Sequence, residues 1–194
     1  MQVHSKFLLF ILIACLNYMI GAEVFVGKEG PHTPPPGKKI SLPIPQLSDE
    51  ETESNHMPHH LKCDACLAVA YQIEKAFSKE KKKKTTLKEY DVLEIVENIC
   101  TKGFENYGLK LVEGVNRLSG PGLETERVMG MTQMGGRWPT RLQEMCHYYM
   151  GEAGELEMYN AFLEGQNQLT NFLCYGTDIY SHCNHMKPPI QKEL

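Results

Sequence analysis

Apolar residues recur at steps of three and four along several stretches of the chain, and each such stretch predicts an amphipathic helix. The first begins at Pro58. Cys63, Cys66, Ala70, Ile73 and Phe77 fall on one face of it, which predicts a helix over about 58–79. Pro58 suits the first turn, where its missing N–H costs nothing. The basic run Lys79-Glu80-Lys81-Lys82-Lys83-Lys84 reads as a solvent-exposed loop. Thr86-Leu87-Lys88-Glu89 reads as a capping box that opens a second helix, with Leu87, Tyr90, Leu93, Val96 and Cys100 inward. Trp138-Pro139-Thr140 opens a third, with Leu142, Met145, Cys146 and Tyr149 on a common face and Gly151 and Gly154 at its end. A fourth runs from about Glu155 to Cys174, with Leu156, Tyr159, Leu163, Leu169 and Phe172 inward and a soft point at Gly165.

Between the second and third helices the pattern weakens. Leu109, Leu111, Val115 and Leu118 are apolar, but glycines punctuate the segment, and a short helix or irregular stretch near 105–118 followed by a long loop is expected. No strand pattern competes. The expected fold is all-α: four main helices with a long insertion between helices two and three.

The two ends of the chain read differently. Residues 1–22 have the form of a signal peptide, with Lys6, the apolar run Phe7–Leu16 and small residues at Gly21-Ala22. Residues 23–56 carry Pro34-Pro35-Pro36, Pro43, Pro45 and the acidic run Asp49-Glu50-Glu51 with Glu53, and read as a disordered, solvated arm. The helical domain is expected over 57–186 and a tail over 187–194. No segment after the leader is apolar enough to span a bilayer, so a chain without a transmembrane segment is expected in the secretory pathway.

Charge changes this picture little. A net charge of −4 points to neither nucleic acid nor an anionic membrane as a partner. Cysteine changes it more. Of seven cysteines, Cys15 leaves with the signal peptide, and Cys63, Cys66, Cys100, Cys146, Cys174 and Cys183 remain. An even number in an oxidising compartment reads as a disulfide framework whose connectivity the spacing alone leaves open.

Cys63-Asp-Ala-Cys66 admits three chemistries. As a redox pair it has the Cys-x-x-Cys spacing, and a helix N-terminus favours the thiolate, but the strand–helix context of a thioredoxin-like site is missing. As a metal site the pair would need His59 or His60, or the distant Cys183 and His185, while the oxidising compartment opposes free thiolates. As structural cysteines each pairs with a separate distant partner. A bridge closing a loop of about 100 residues adds ~4–5 kcal/mol of stability on the chain-entropy model. The structural reading is favoured, with no metal and no cofactor expected. The Gly-rich loop from Gly120 to Gly136 offers a binding surface instead: Met129, Met131 and Met134 are adaptable apolar contacts, unless the loop folds back and uses them as core filler.

The order Cys-x-x-Cys, Cys, Cys, Cys, Cys on helices resembles the saposin-like fold. His56-Met57-Pro58, Asn106-Tyr107-Gly108, Gly120-Pro121-Gly122-Leu123, Trp138-Pro139-Thr140-Arg141-Leu142 and Tyr148-Tyr149 add a closer resemblance, to the marginal-zone B-cell proteins, relatives of the canopy family, over roughly residues 50–183. The saposin-like order implies nested bridges Cys63–Cys183, Cys66–Cys174 and Cys100–Cys146. The closer resemblance implies a lumenal co-chaperone of the endoplasmic reticulum in plasma cells. Its clients would be immunoglobulin heavy and light chains, polymeric IgM above all, and it would work beside endoplasmin and other lumenal chaperones. A role in calcium stores is implied too. So is a weak thiol-disulfide oxidoreductase activity at Cys63 and Cys66, the enzyme alternative to a binding module. Lipid binding of the saposin kind is a third class. The family's retention signal falls on Gln191, Lys192, Glu193 and Leu194, with Lys192 where an acidic or amide residue is usual, which implies retention with some secretion.

Overall fold

In a computed structural model, residues 42, 44–177 and 180–185 are described, all of them within one compact unit, Ser41–Leu194. The leader expected at 1–22 and the retention residues Gln191–Leu194 lie outside the described residues. Six α-helices and three strands occur among the described ones: α1 (Asp49–Glu53), α2 (Lys62–Lys81), α3 (Glu89–Lys102), β1 (Gly108–Val112), β2 (Val115–Ser119), β3 (Thr132–Met134), α4 (Trp138–Ala153), α5 (Glu155–Leu163) and α6 (Gln168–Cys174). The domain is mostly helical, its helices are joined by disulfides, and it is consistent with a saposin-like arrangement. It is neither all-α nor built of four helices.

Helix α2 is the centre. A 3-10 turn, His59–Leu61, leads into it, and Pro58 precedes that turn in extended conformation rather than sitting inside the helix. Cys63, Cys66, Ala70, Ile73 and Phe77 are all buried, as their spacing predicts, and so are Ala65, Ala68 and Val69 on neighbouring faces. The burial spreads around the helix because α3, α4, α5, α6 and strand β2 all pack on it. Near its C-terminal end Phe77 meets the Tyr159 ring edge-on at 5.1 Å and the Phe162 ring at 5.4 Å.

Helix α3 begins at Glu89, later than the Thr86–Glu89 box would place it. The reaching-back group is Asp91, whose carboxylate accepts from Lys88 N at 3.0 Å. This start rotates the inner face to Val92, Val96 and Cys100, and Tyr90 lies exposed. Helix α4 follows its sequence pattern closely, with Pro139 in the first turn and Leu142, Met145, Cys146 and Tyr149 buried. The expected fourth helix is two. Gly165 at φ 135° and Asn167 at φ 64° take backbone conformations no α-helix contains, and the chain restarts at Gln168. Leu156 and Leu163, expected inward, are exposed, and α5 buries Met158, Tyr159 and Ala161 instead.

The acidic arm also departs from expectation. Ser48 and Glu51 cap α1 reciprocally, Glu51 N donating to Ser48 Oγ at 3.2 Å and Ser48 N to Glu51 Oε2 at 2.8 Å. Glu51 is buried, and Asn116 Nδ2 donates to both its oxygens, at 3.0 and 2.9 Å. Arg141, fully buried against Trp138, donates to the carbonyls of Glu51 and Ser54. Polar fasteners therefore order a segment whose few large apolar residues predict disorder. Burial by itself would raise the Glu51 carboxyl, but hydrogen bonds from the Ser48 backbone, Asn116, the Ser48 hydroxyl and His60 outweigh it and hold the group below its ordinary value. A carboxyl held low in the folded state contributes stability above the ordinary glutamate range and loses it as pH falls through the lowered value. Glu51→Gln is therefore expected to weaken arm docking by about 1–2 kcal/mol at neutral pH. Limited proteolysis should show several-fold faster cleavage between 44 and 56 in the variant, with the parent matching it only in acid. Equal cleavage rates at neutral pH would show that Glu51 does not hold the arm.

Candidate functional site

The segment between α3 and α4 is a β-insertion that presents methionines. Leu109 and Leu118 are buried on the inner face of β1 and β2, which pair antiparallel in the register Gly108↔Ser119 to Val112↔Val115. The two residues between them, Glu113 at φ 52° and Gly114 at φ 83°, both take positive φ, the requirement of a two-residue hairpin turn. Strand β3 pairs with the other edge of β1, giving the order β2-β1-β3. Gly108 permits this pairing, because a Cβ there would stand 2.2 Å from the Gln133 carbonyl oxygen.

The loop that carries the chain from β2 to β3 is pinned from inside. Lys110 is buried, and its ammonium donates to the carbonyls of Thr125 at 2.8 Å, Val128 at 3.0 Å and Glu126 at 3.3 Å. Carbonyl oxygens thus replace the water that a buried ammonium gives up. The Thr125 hydroxyl donates to the Leu118 carbonyl at 2.5 Å. Beyond this anchor the chain turns outward. Met129 is 82% exposed, Met131 51% and Met134 50%, and Val128 lies beside them at the surface. Of the two sequence readings, adaptable surface or core filler, the surface one describes where these side chains lie.

The insertion is fastened to α2 by the residue inside the Cys-x-x-Cys motif. Asp64, buried, accepts from Arg117 Nε at 2.7 Å and Nη2 at 2.6 Å, and from the Leu118 backbone N–H at 3.1 Å. The hydrogen bonds that Arg117 donates to Asp64 draw its already basic guanidinium higher still. Nothing in the sequence pattern gives Asp64 or Arg117 this role. A two-pronged guanidinium–carboxylate pair between residues 53 apart leaves no local pattern.

The flanking cysteines do not face each other. Cys63 is joined to Cys183, Cys66 to Cys174, and Cys100 to Cys146, with all six sulfurs buried. The first two bridges tie α2 to α6 and the segment after it; the third ties α3 to α4. With Cys63, Cys66 and Cys183 in these bonds, the thiolates of the zinc alternative are taken up, and among the described residues no group of three or more His, Cys, Asp or Glu is arranged to hold a metal ion. Among the described residues no helix is long and apolar enough to cross a membrane. In the basic run, Lys83 pairs with Glu80 at 2.6 Å and Lys84 with Asp91 at 2.5 Å.

No family model matches the chain. Individual proteins do. The human "Marginal zone B- and B1-cell-specific protein" is 38% identical over 171 residues, 83% of this chain and 88% of that protein. The mouse protein of the same name is 36% identical over 172 residues, covering 84% and 89%, and the rat one 34% over 189 residues, covering 92% and 97%. The chain belongs to this family. The matches to these marginal zone B- and B1-cell-specific proteins take in at least 83% of this chain and at least 88% of each relative.

Proposed function

We propose that the chain is a co-chaperone of the endoplasmic reticulum lumen that assists immunoglobulin folding, assembly and secretion, IgM above all, beside endoplasmin and other lumenal chaperones. Membership of the marginal zone B- and B1-cell-specific protein family supports the client, and the leader-like residues 1–22 with Gln191–Leu194 support the compartment. The observation that carries the mode of action is the exposure of Met129, Met131 and Met134 on a loop whose base is pinned by Lys110 and Asp64. Flexible thioether side chains adapt to many apolar partners, and a rigid base limits the entropy lost on binding. A thiol-exchange role would have to begin by opening a buried bridge at Cys63 or Cys66.

The test compares Met129→Ser/Met131→Ser/Met134→Ser with the parent in an IgM polymer assembly and secretion assay. Because these side chains are exposed, stability should change by less than about 0.5 kcal/mol, and peptide mapping without reduction should recover the three bridges. Assembly is expected to fall several-fold. Undiminished assembly by the methionine variant, with loss confined to a folded chain lacking one outer bridge, Cys66→Ser/Cys174→Ser, would move the function to thiol exchange.

A further inference from the structure

A groove of about 530 Å³ lies between α2, the turn at 122–124 and α6, and none of the three loop methionines lines it. Along α2 its wall runs from Leu67 to Ser78, a length of about 16 Å at the helical rise. The facing turn is fixed in place. Gly122, at φ 84°, packs on Tyr71 so closely that a Cβ there would stand 2.2 Å from the ring. Leu67, Tyr71 and Tyr175 make much of the remaining surface apolar.

The charged side chains lining the groove are Glu74, Glu124 and Lys75, so its sign is negative. The Lys75 ammonium is turned onto the Tyr71 ring, 5.7 Å from its centre. Glu124 is exposed at the rim, within reach of the Arg117 charge, but that guanidinium is already matched by Asp64. Glu74 stands apart from both. It is half-buried, and among the described residues no hydrogen bond or ion pair reaches it. Burial raises its carboxyl above the ordinary value, and no neighbouring charge draws it back. A carboxylate partly stripped of water and left without a cation gains from any cation that fits beside it.

We propose that this groove holds an arginine side chain of a partner polypeptide, its guanidinium paired with Glu74 and its apolar neighbours lying along α2. One carboxylate among aromatic and aliphatic walls is too few oxygens for a metal ion and suits an organic cation. Arginine fits better than lysine, because its planar guanidinium is more weakly hydrated, meets a carboxylate with two donors and lies flat on aromatic rings. The length of the groove along α2 matches a stretch of chain rather than a small molecule. Lys75 on Tyr71 shows that the aromatic wall already attracts a cation, the chain's own.

The probe is a fluorescein-labelled Gly-Leu-Arg-Leu-Gly peptide, with binding to the disulfide-bonded protein followed by fluorescence anisotropy. Glu74→Gln keeps the shape, removes the charge and is expected to weaken binding about tenfold. Lys75→Gln, one residue away, should act in the opposite direction and tighten binding about threefold, because it bares the Tyr71 ring and removes a repelling cation. The same peptide with citrulline in place of arginine should bind the parent as weakly as the arginine peptide binds Glu74→Gln. Met129→Ser/Met131→Ser/Met134→Ser should bind the arginine peptide as the parent does, which separates this groove from the methionine surface. Glu74→Gln should unfold at no lower denaturant concentration than the parent, since nothing in the fold is paired with the carboxylate. Absence of binding, undiminished binding by Glu74→Gln, equal binding of the citrulline peptide, or weakening by Lys75→Gln would each overturn the proposal. So would a lowered unfolding midpoint in Glu74→Gln, because the carboxylate would then be engaged within the fold.

Discussion

Removing both outer disulfides is expected to unfold the domain at body temperature, whereas removing either one leaves it folded. The reason is nesting. Cys63–Cys183 spans 120 residues and Cys66–Cys174 spans 108 within the same loop. While one bridge holds, the other closes an effective loop of 120 − 108 = 12 residues in the unfolded chain. On the chain-entropy model a loop of this size is worth about 3 kcal/mol, against nearly 5 kcal/mol for one of about 100 residues. Cys63→Ala/Cys183→Ala and Cys66→Ala/Cys174→Ala should each cost about 3 kcal/mol, and the fourfold variant about 7–8 kcal/mol, which is comparable to the whole stability of an ordinary domain. Denaturant unfolding of the three proteins checks this. Two single-bridge losses that already sum to the fourfold loss, or a single loss near 5 kcal/mol, would show that the bridges do not share one loop.

How far the sequence discloses this fold depends on how local each determinant is. The inner face of α2 and the whole of α4 follow from apolar residues at helical spacing, a signal contained within one element. The hairpin does not announce itself. Its strands are five residues each, and the adjacent pairs Leu111-Val112 and Asn116-Arg117 interrupt the alternation that marks a strand. Glu113-Gly114 between Val112 and Val115 is the available clue, and glycine there reads equally as a helix breaker. Ser48-Asp49-Glu50-Glu51 has the form of a capping box, but the arm's composition argues against order, and what fixes Glu51 is Asn116, 65 residues away. The methionine surface was visible as composition in a loop; its exposure is set by the carbonyl cage around Lys110. The groove at Glu74 depends on the packing of α2 beside 122–124 and α6, which no local window contains.

Asp64 illustrates why such non-local contacts dominate the energetics of the insertion, and its removal carries the second large effect. Asp64→Ala deletes two hydrogen bonds to Arg117 and one to the Leu118 N–H. The guanidinium, 31% exposed, can turn toward water, so part of its loss is recovered there, while the Leu118 N–H lies over a fully buried side chain and has less opportunity to do so. Breaking a buried pair of this kind costs about 3 kcal/mol, somewhat less than the full range because one partner reaches solvent. Arg117→Met is expected to cost more, about 4 kcal/mol, since it strands the carboxylate of Asp64, which is 4% exposed, with a single backbone donor. The double variant should cost less than the two singles summed, because neither charge is then left alone. Amide hydrogen exchange locates the damage: Leu118, Lys110 and the β3 amides should exchange at least tenfold faster in Asp64→Ala, with α3 and α4 little changed. On the proposed function, client binding should then fall although every methionine is intact, because the loop that presents them has lost its base. An Asp64→Ala chain of parental stability and parental exchange in β1 to β3 would mean that the insertion is held by its apolar contacts, and that Asp64 between the two cysteines is there for another reason.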